Sequence, residues 1–336
     1  MRSRKPLVAL LATVAVGVLA ACGPSQSDVN SVGQGADGKQ KVTVGALPIS
    51  STAALHLGKD KGFFAEAGLE VEVQSIPNPA GAMAALQGGQ VQFAYTPSMP
   101  MLTAVSQGID LKVVAAADGY PEGAYDEWVA EGRTTSPDDT AVLVSKDSDI
   151  KRPRDLEGKV VAVPARKAQM EITIAAVVKQ DGGDPSTIKW IALSFQDMIP
   201  ALDAGRVDAI GEVTPFIEQA KSEGARVLSQ PGIGAFREGA VGLWVSSAAF
   251  LEQNGDVAER FARAVHKANA YANEHLDEVY ATASEITRIP VEVLQSGEPP
   301  YWPEGVEVTD LERPANIMVD LGYLNEVPTL DALIAR

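Results

Sequence analysis

Four short segments of this 336-residue chain place hydroxyl, amide and charged side chains where a strand-like run gives way to a helical one. Pro48-Ile49-Ser50-Ser51-Thr52 and Tyr95-Thr96-Pro97-Ser98 lie in the first half. Pro164-Ala165-Arg166-Lys167-Ala168-Gln169-Met170 and Gly211-Glu212-Val213-Thr214-Pro215-Phe216 lie in the second. Hydroxyls beside the free N–H groups and positive dipole end of a helix can grip a small molecule. Arg166 and Lys167 are the only paired cations in these segments, and a guanidinium fork matches a carboxylate or sulfonate. The candidate ligand contacts are therefore Ser50, Ser51, Thr52, Tyr95, Thr96, Ser98, Arg166, Gln169, Met170, Glu212, Thr214 and, as an aromatic near a crossing, Trp244. Each has a plainer competitor. Ser51, Thr52 and Thr96 also suit helix N-caps, Arg166 could pair with Glu171 on a helix surface, Lys167 suits solvent, and aromatics are more often core than platform. Of Tyr95, Tyr120, Trp128 and Trp244, the first and last are favoured as ligand contacts.

Catalytic chemistry finds no support. His56, His266 and His275 are widely spaced and fit no metal-ligand pattern, the last two on a helix read as solvent-facing. No nucleophile elbow, phosphate loop or dinucleotide fingerprint occurs. Cys22 is the only cysteine, so disulfides and thiolate metal sites are excluded. The chain is read as a non-enzyme without cofactor or metal.

Cys22 has another use. Arg2, Arg4 and Lys5 precede an apolar run, Leu7 to Ala21, ending Leu19-Ala20-Ala21-Cys22. That is a signal-peptide layout closed by a lipobox, and the run is shorter than the ~20 residues that span a bilayer. Residues 1–21 are thus expected to be cleaved and Cys22 acylated, with 22–40 a polar tether. The only membrane attachment is then the lipid, at the outer face of the cell membrane or the periplasmic side in a two-membrane cell. The formal charge of −16, three units more negative without the leader's cations, argues against nucleic acid or anionic lipid as partner.

The elements that must position these residues repeat. Lys41-Val42-Thr43-Val44 and Lys159-Val160-Val161-Ala162 open the two halves. Ala85-Leu86-Gln87-Gly88-Gly89-Gln90-Val91-Gln92-Phe93-Ala94 answers Ala201-Leu202-Asp203-Ala204-Gly205-Arg206-Val207-Asp208-Ala209-Ile210, at separations of 44 and 42 residues from those openings. The offset between the two halves, about 117 residues, is too long for a solenoid unit and implies two similar lobes. Strand-like runs at 41–47, 69–74, 91–95 and 111–117, then 159–164, 187–193, 207–210 and 226–228, alternate with helical patterns, which implies parallel sheets with helices on both faces. The acidic stretch Glu122 to Asp139 reads as a mobile loop. The fold class is α/β, two doubly wound lobes joined by a two-stranded hinge, with the crevice beyond the strands' carboxyl ends. Lobe 1 takes 41–138 plus 247–336. Lobe 2 takes 139–246, including the crossings Asp138 to Lys146 and Ala240 to Ser246.

Lys61-Gly62-Phe63-Phe64-Ala65-Glu66-Ala67-Gly68-Leu69-Glu70-Val71 resembles the KGFFxxxGLxVE segment of ABC-importer substrate-binding proteins in the sulfonate, taurine, nitrate and thiamine-pyrimidine-precursor group. Asp155-Leu156-Glu157-Gly158-Lys159-Val160-Val161-Ala162 is similar to that group's entry into the second lobe. The resemblance implies a type II periplasmic-binding-protein fold, hinge closure on one small organic anion (carboxylate or sulfonate), monomeric action, and delivery to a permease with its cytoplasmic ATPase. A tethered sensor, a thiamine-pyrimidine-precursor binder or a related enzyme are the alternatives. Arg166-Lys167 and Val213-Thr214-Pro215 depart from the group's usual residues, so the relatives' substrates do not transfer.

Overall fold

The computed structural model describes residues 32–35, 37–130 and 138–335. The leader, the lipobox with Cys22 and most of the tether lie outside the described residues. In chain order the elements are β1 (Gly33–Gln34), β2 (Gln40–Ala46), α1 (Ala53–Asp60), α2 (Phe63–Glu66), β3 (Leu69–Ser75), α3 (Pro79–Gln87), β4 (Phe93–Pro97), α4 (Ser98–Ser106), β5 (Leu111–Tyr120), α5 (Ala124–Ala130) and β6 (Thr140–Ser145). There follow β7 (Val160–Val163), α6 (Gln169–Gln180), β8 (Lys189–Ala192), α7 (Phe195–Asp203), β9 (Ala209–Val213), α8 (Phe216–Ser222), β10 (Ala225–Ser229), α9 (Gly232–Phe236) and β11 (Gly239–Ser247). Four helices end the chain: α10 (Ala248–Glu274), α11 (Leu276–Thr287), α12 (Val291–Leu294) and α13 (Val308–Asp320).

Two sheets result. In the first, β3 takes one edge of β2, and β4, β11 and β5 follow on the other; the second runs β8-β7-β9-β6-β10. The two orders are the same, outer strand, first strand, third strand, inserted strand, last strand. The inserted strands, β11 and β6, are antiparallel to their neighbours, so the sheets are mixed where the alternation pattern implied wholly parallel ones. Each inserted strand is supplied by the chain as it enters from the other sheet. The run expected as a return crossing, Ala240 to Ser246, thus lies within the first sheet, and the chain passes between sheets at 121–139 and 230–238.

The repeat extends to individual atoms. Gly89 and Gly205 both hold left-handed φ, 66° and 65°, where a side chain would be strained. They let Gln90 N–H return to Ala85 C=O and Arg206 N–H to Ala201 C=O, both at 2.9 Å, closing α3 and α7 alike. The next polar residue then reaches back to the opening strand: Gln92 Oε1 accepts from Thr43 N–H and Asp208 Oδ2 from Val160 N–H, both at 2.8 Å.

Each sheet has its own aromatic packing. Phe93 and Phe261 stack at 4.0 Å between β4 and α10, with Trp244 edge-on to Phe261 at 6.4 Å. In the second, Phe195 and Phe216 stack at 5.4 Å. The lobes touch where α4 packs on α6 and where Tyr323, past α13, donates its hydroxyl to Glu171 of α6 at 3.1 Å.

The segment read as a mobile acidic loop is structured at the two ends that lie among the described residues. Residues 124–130 form α5, and Asp138 is 3% exposed. Its carboxylate accepts from Tyr120 Oη (2.7 Å), Thr140 N–H (2.9 Å), Thr140 Oγ1 (2.7 Å) and Ile233 N–H (2.9 Å). A buried carboxylate needs that many donors, and here they tie both passages between the sheets together. His266 is not solvent-facing either: it is half-buried, and burial lowers its pKa, as it does that of His56. His275 stacks on Tyr271 at 3.8 Å.

Candidate functional site

The carboxyl ends of β4 and β5 in the first sheet and of β9 in the second carry buried polar side chains. β5 continues past Ala117 to Tyr120, which brings Asp118 into register opposite Gly242 of β11. A Cβ at Gly242 would fall 2.7 Å from both the ring and the hydroxyl of Tyr95, and closer still to Asp118 Oδ1. The missing side chain is what lets Tyr95 and Asp118 converge. The hydroxyls of Tyr95 and Ser51 face the Asp118 carboxylate and hold its pKa down in part, yet burial prevails and pushes it up to about 6. Burial, with Asp118 and Asp139 nearby, drives the Tyr95 hydroxyl well above its ordinary value.

Asp139, just before β6, is partly buried. Burial raises its pKa well above the usual range, and Asp118 and Asp138 add to the effect by like-charge repulsion. Its backbone C=O accepts from Thr214 N–H at 2.8 Å. Two residues before Thr214 stands Glu212, fully buried, with no hydrogen-bond partner for either carboxylate oxygen. Burial pushes its carboxyl far up, with only the Val213 backbone in opposition. Ser98 Oγ, at the start of α4, and Gln169 Oε1, at the start of α6, are also buried without partners.

The remaining candidates divide. Ser50 and Ser51 are buried in a single 3-10 turn, and the Ser51 C=O accepts from the indole N–H of Trp302 at 2.8 Å. Thr52 stands at the N-cap of α1 without a side-chain capping bond, and Thr96 is not an N-cap. Thr52 Oγ1 donates to the carbonyls of Leu47 and Ile49, and Thr96 Oγ1 to that of Pro97. Met170 packs in the second core against Gly211. Trp244 belongs to the first aromatic core, 5.8 Å from Tyr95, so its ring serves packing.

Arg166 corrects the sequence reading most. Its Nε donates to Glu171 Oε2 at 2.6 Å and its Nη1 to the Trp190 C=O at 3.1 Å, and the side chain is half-exposed beside Trp190, Asp320 and Tyr323. Glu171 is buried at the helix start and gathers Arg166, Lys167 N–H and Tyr323 Oη. The guanidinium is committed to that carboxylate instead of standing free for an anion. Lys167 is exposed. Among the described residues no group of three or more His, Asp or Glu is placed to hold a metal ion.

Sequence reasoning missed Asp118, Asp139 and Trp302. Asp118 follows an alanine-rich buried strand and precedes Gly119, a position where a carboxylate would end a strand, and that was the available signal.

The family model described as NMT1/THI5 like matches residues 50–120 and 132–279, spanning both sheets and the crossings between them. The chain belongs to the NMT1/THI5-like family. Among curated relatives of this NMT1/THI5-like chain, a putative aliphatic sulfonates-binding protein of Bacillus subtilis is 24% identical over 305 residues, 88% of this chain and 83% of that protein. A formylaminopyrimidine-binding protein of Halalkalibacterium halodurans is 25% identical over 232 residues, 67% of this chain and 63% of that one. Among solved structures, the ligand binding component of an ABC-type import system from Staphylococcus aureus, with zinc bound, superposes with a TM-score of 0.73 at 17% identity, covering 88% of this chain and 97% of that one. The fold is the two-lobed type II architecture of periplasmic binding proteins.

Proposed function

We propose that this NMT1/THI5-like chain is the substrate-binding component of an ABC-type importer, exported and held by lipid on Cys22. It takes one small organic ligand between its lobes by closure about the two crossings and passes it to a permease. The observation that supports this best is the set of buried polar atoms without a partner at the ends of strands from both sheets, Asp118 Oδ1 on one side and both carboxylate oxygens of Glu212 on the other. Such groups are costly to leave unmet in a finished fold, and a ligand reaching both lobes would satisfy them together. No helix among the described residues is long and apolar enough to cross a membrane, in keeping with attachment through lipid. The organic-anion clamp expected at Arg166 has lost its cation to Glu171, so the proposal does not depend on it.

The test is to purify the full-length protein in detergent from cells grown on rich medium, denature it, and identify released small molecules by mass spectrometry. One species near equimolar amount is expected, and adding it back should raise the melting temperature. No released molecule, with no shift from a broad solute panel, sinks the proposal. Replacing Cys22 by Ala should move the protein from the membrane to the soluble fraction.

A further inference from the structure

The acceptors left unmet at the strand ends are of one kind. Asp118 Oδ1, Glu212 Oε1 and Oε2 and Gln169 Oε1 all lack a donor, and the fifth such atom there, Ser98 Oγ, can serve either way. Elsewhere three carboxylates are well supplied. Asp138 has four donors, Glu171 three, and Asp181 takes Arg152 and the Arg154 N–H. Away from the strand ends Glu218 Oε2, on α8, shares the deficit, so among the described residues five of the six unmet atoms gather at the strand ends.

The acidic groups are also contiguous. Asp118 is close enough to Asp139 to raise that residue's affinity for protons. Asp139 is bonded through its C=O to Thr214 N–H, two residues past Glu212, and Glu212 pairs across the sheet with Ala141, two residues past Asp139. Around Asp118 stand Tyr95, Ser51 and Asp139. Around Glu212 only the Val213 backbone bears on its proton. Among the described residues no lysine or arginine bears on the proton of either carboxyl, and the cation expected from the sequence, Arg166, is held by Glu171. An anionic ligand would meet no compensating cation on either side, in a protein already at −16.

We infer that the ligand of this cleft carries a compact positive charge, a protonated amine or an amidinium-type group, seated between the carboxylates of Asp118 and Glu212. An ammonium offers three N–H donors and no acceptor, and an amidinium fork can bridge two carboxylates, which is what these atoms lack. The inference rests on the solute-binding reading above and adds the sign and class of the solute. Below about pH 6 Asp118 takes up a proton, so the cation should bind more weakly in acid.

The experiment titrates the full-length protein in detergent by calorimetry and thermal denaturation with putrescine, agmatine and benzamidine as cations, ethanesulfonate, benzoate and nitrate as anions, and cytosine as a neutral heterocycle. At least one cation should bind at pH 7.5 and lose severalfold affinity by pH 5. Asp118→Asn and Glu212→Gln should each weaken it tenfold or more while the ligand-free melting temperature rises, a pairing that simple loss of folding cannot produce. Cation affinity unchanged in both variants overturns the inference. So does binding of anions or cytosine alone, or a co-purified molecule without positive charge, and in those cases the solute-binding reading survives. If no probe binds and nothing co-purifies, both fall.

Discussion

Asp138 and Glu212 are both buried carboxylates, and the fold treats them in opposite ways. Asp138, at the passage between the sheets, is surrounded by Tyr120, Thr140 and the Ile233 N–H. Glu212, at the end of β9, has no partner for either oxygen. The desolvation penalty is similar in kind for the two. What differs is whether the protein supplies the compensating donors itself or leaves that to a ligand. A satisfied buried carboxylate holds the crossings in place, whereas an unsatisfied one marks where something has to arrive.

The contrast can be broken most forcefully at Asp138. Asp138→Ala removes a charged hub of four hydrogen bonds and should cost about 3 kcal/mol or more of stability, read as a lowered midpoint in urea. A loss below about 1 kcal/mol would mean that the hub is not what fixes the crossings. Glu212→Gln should act in the opposite direction, stabilising the ligand-free protein by about 1–2 kcal/mol, because a neutral amide loses less on burial than a carboxylate. Destabilisation there would equate the two sites and end the comparison.

The pH dependence sharpens it further. Asp118 titrates near 6 in the folded protein against an ordinary 3.8, so the folded state binds the extra proton, and that contribution to stability is present in acid and lost as pH rises through about 6. The ligand-free melting temperature should therefore climb between pH 7 and pH 5 by the equivalent of about 1 kcal/mol, and Asp118→Asn should flatten the trend. The smallest effect is expected at Arg166. Arg166→Ala should cost about 1 kcal/mol through Glu171 and leave the affinity for the co-purified ligand within about twofold by calorimetry. A tenfold loss would restore the guanidinium to the cleft.

The fold was legible in the sequence because its strongest signals are local and repeated. Gly89 and Gly205 end equivalent helices with the same backbone geometry, and Val91 and Val207 stand two residues before equivalent buried strands. Strand insertion was not legible, since nothing in Ala240 to Ser246 says which sheet it will enter. The hydroxyl loops were found because they follow strands. Their roles were harder to read, since Thr52 and Thr96 donate to nearby carbonyls, a choice made by backbone geometry. Arg166 misled because its partner, Glu171, lies five residues ahead on the same segment and is buried beneath it. Asp118 was overlooked because an aspartate before glycine looks like a turn, although β5 runs on through both.

The exchanged strands also bear on how this chain folds. β11 lies between β4 and β5, so the first sheet has a gap until residue 247 has emerged, and its two halves cannot pair without it. A ladder joining residues so far apart in sequence forms slowly, because loop closure must precede the contacts that reward it. The N-terminal half of a nascent chain would then stay incompletely structured through most of its synthesis. Under the export proposed above, that delay would keep the chain threadable until it has crossed.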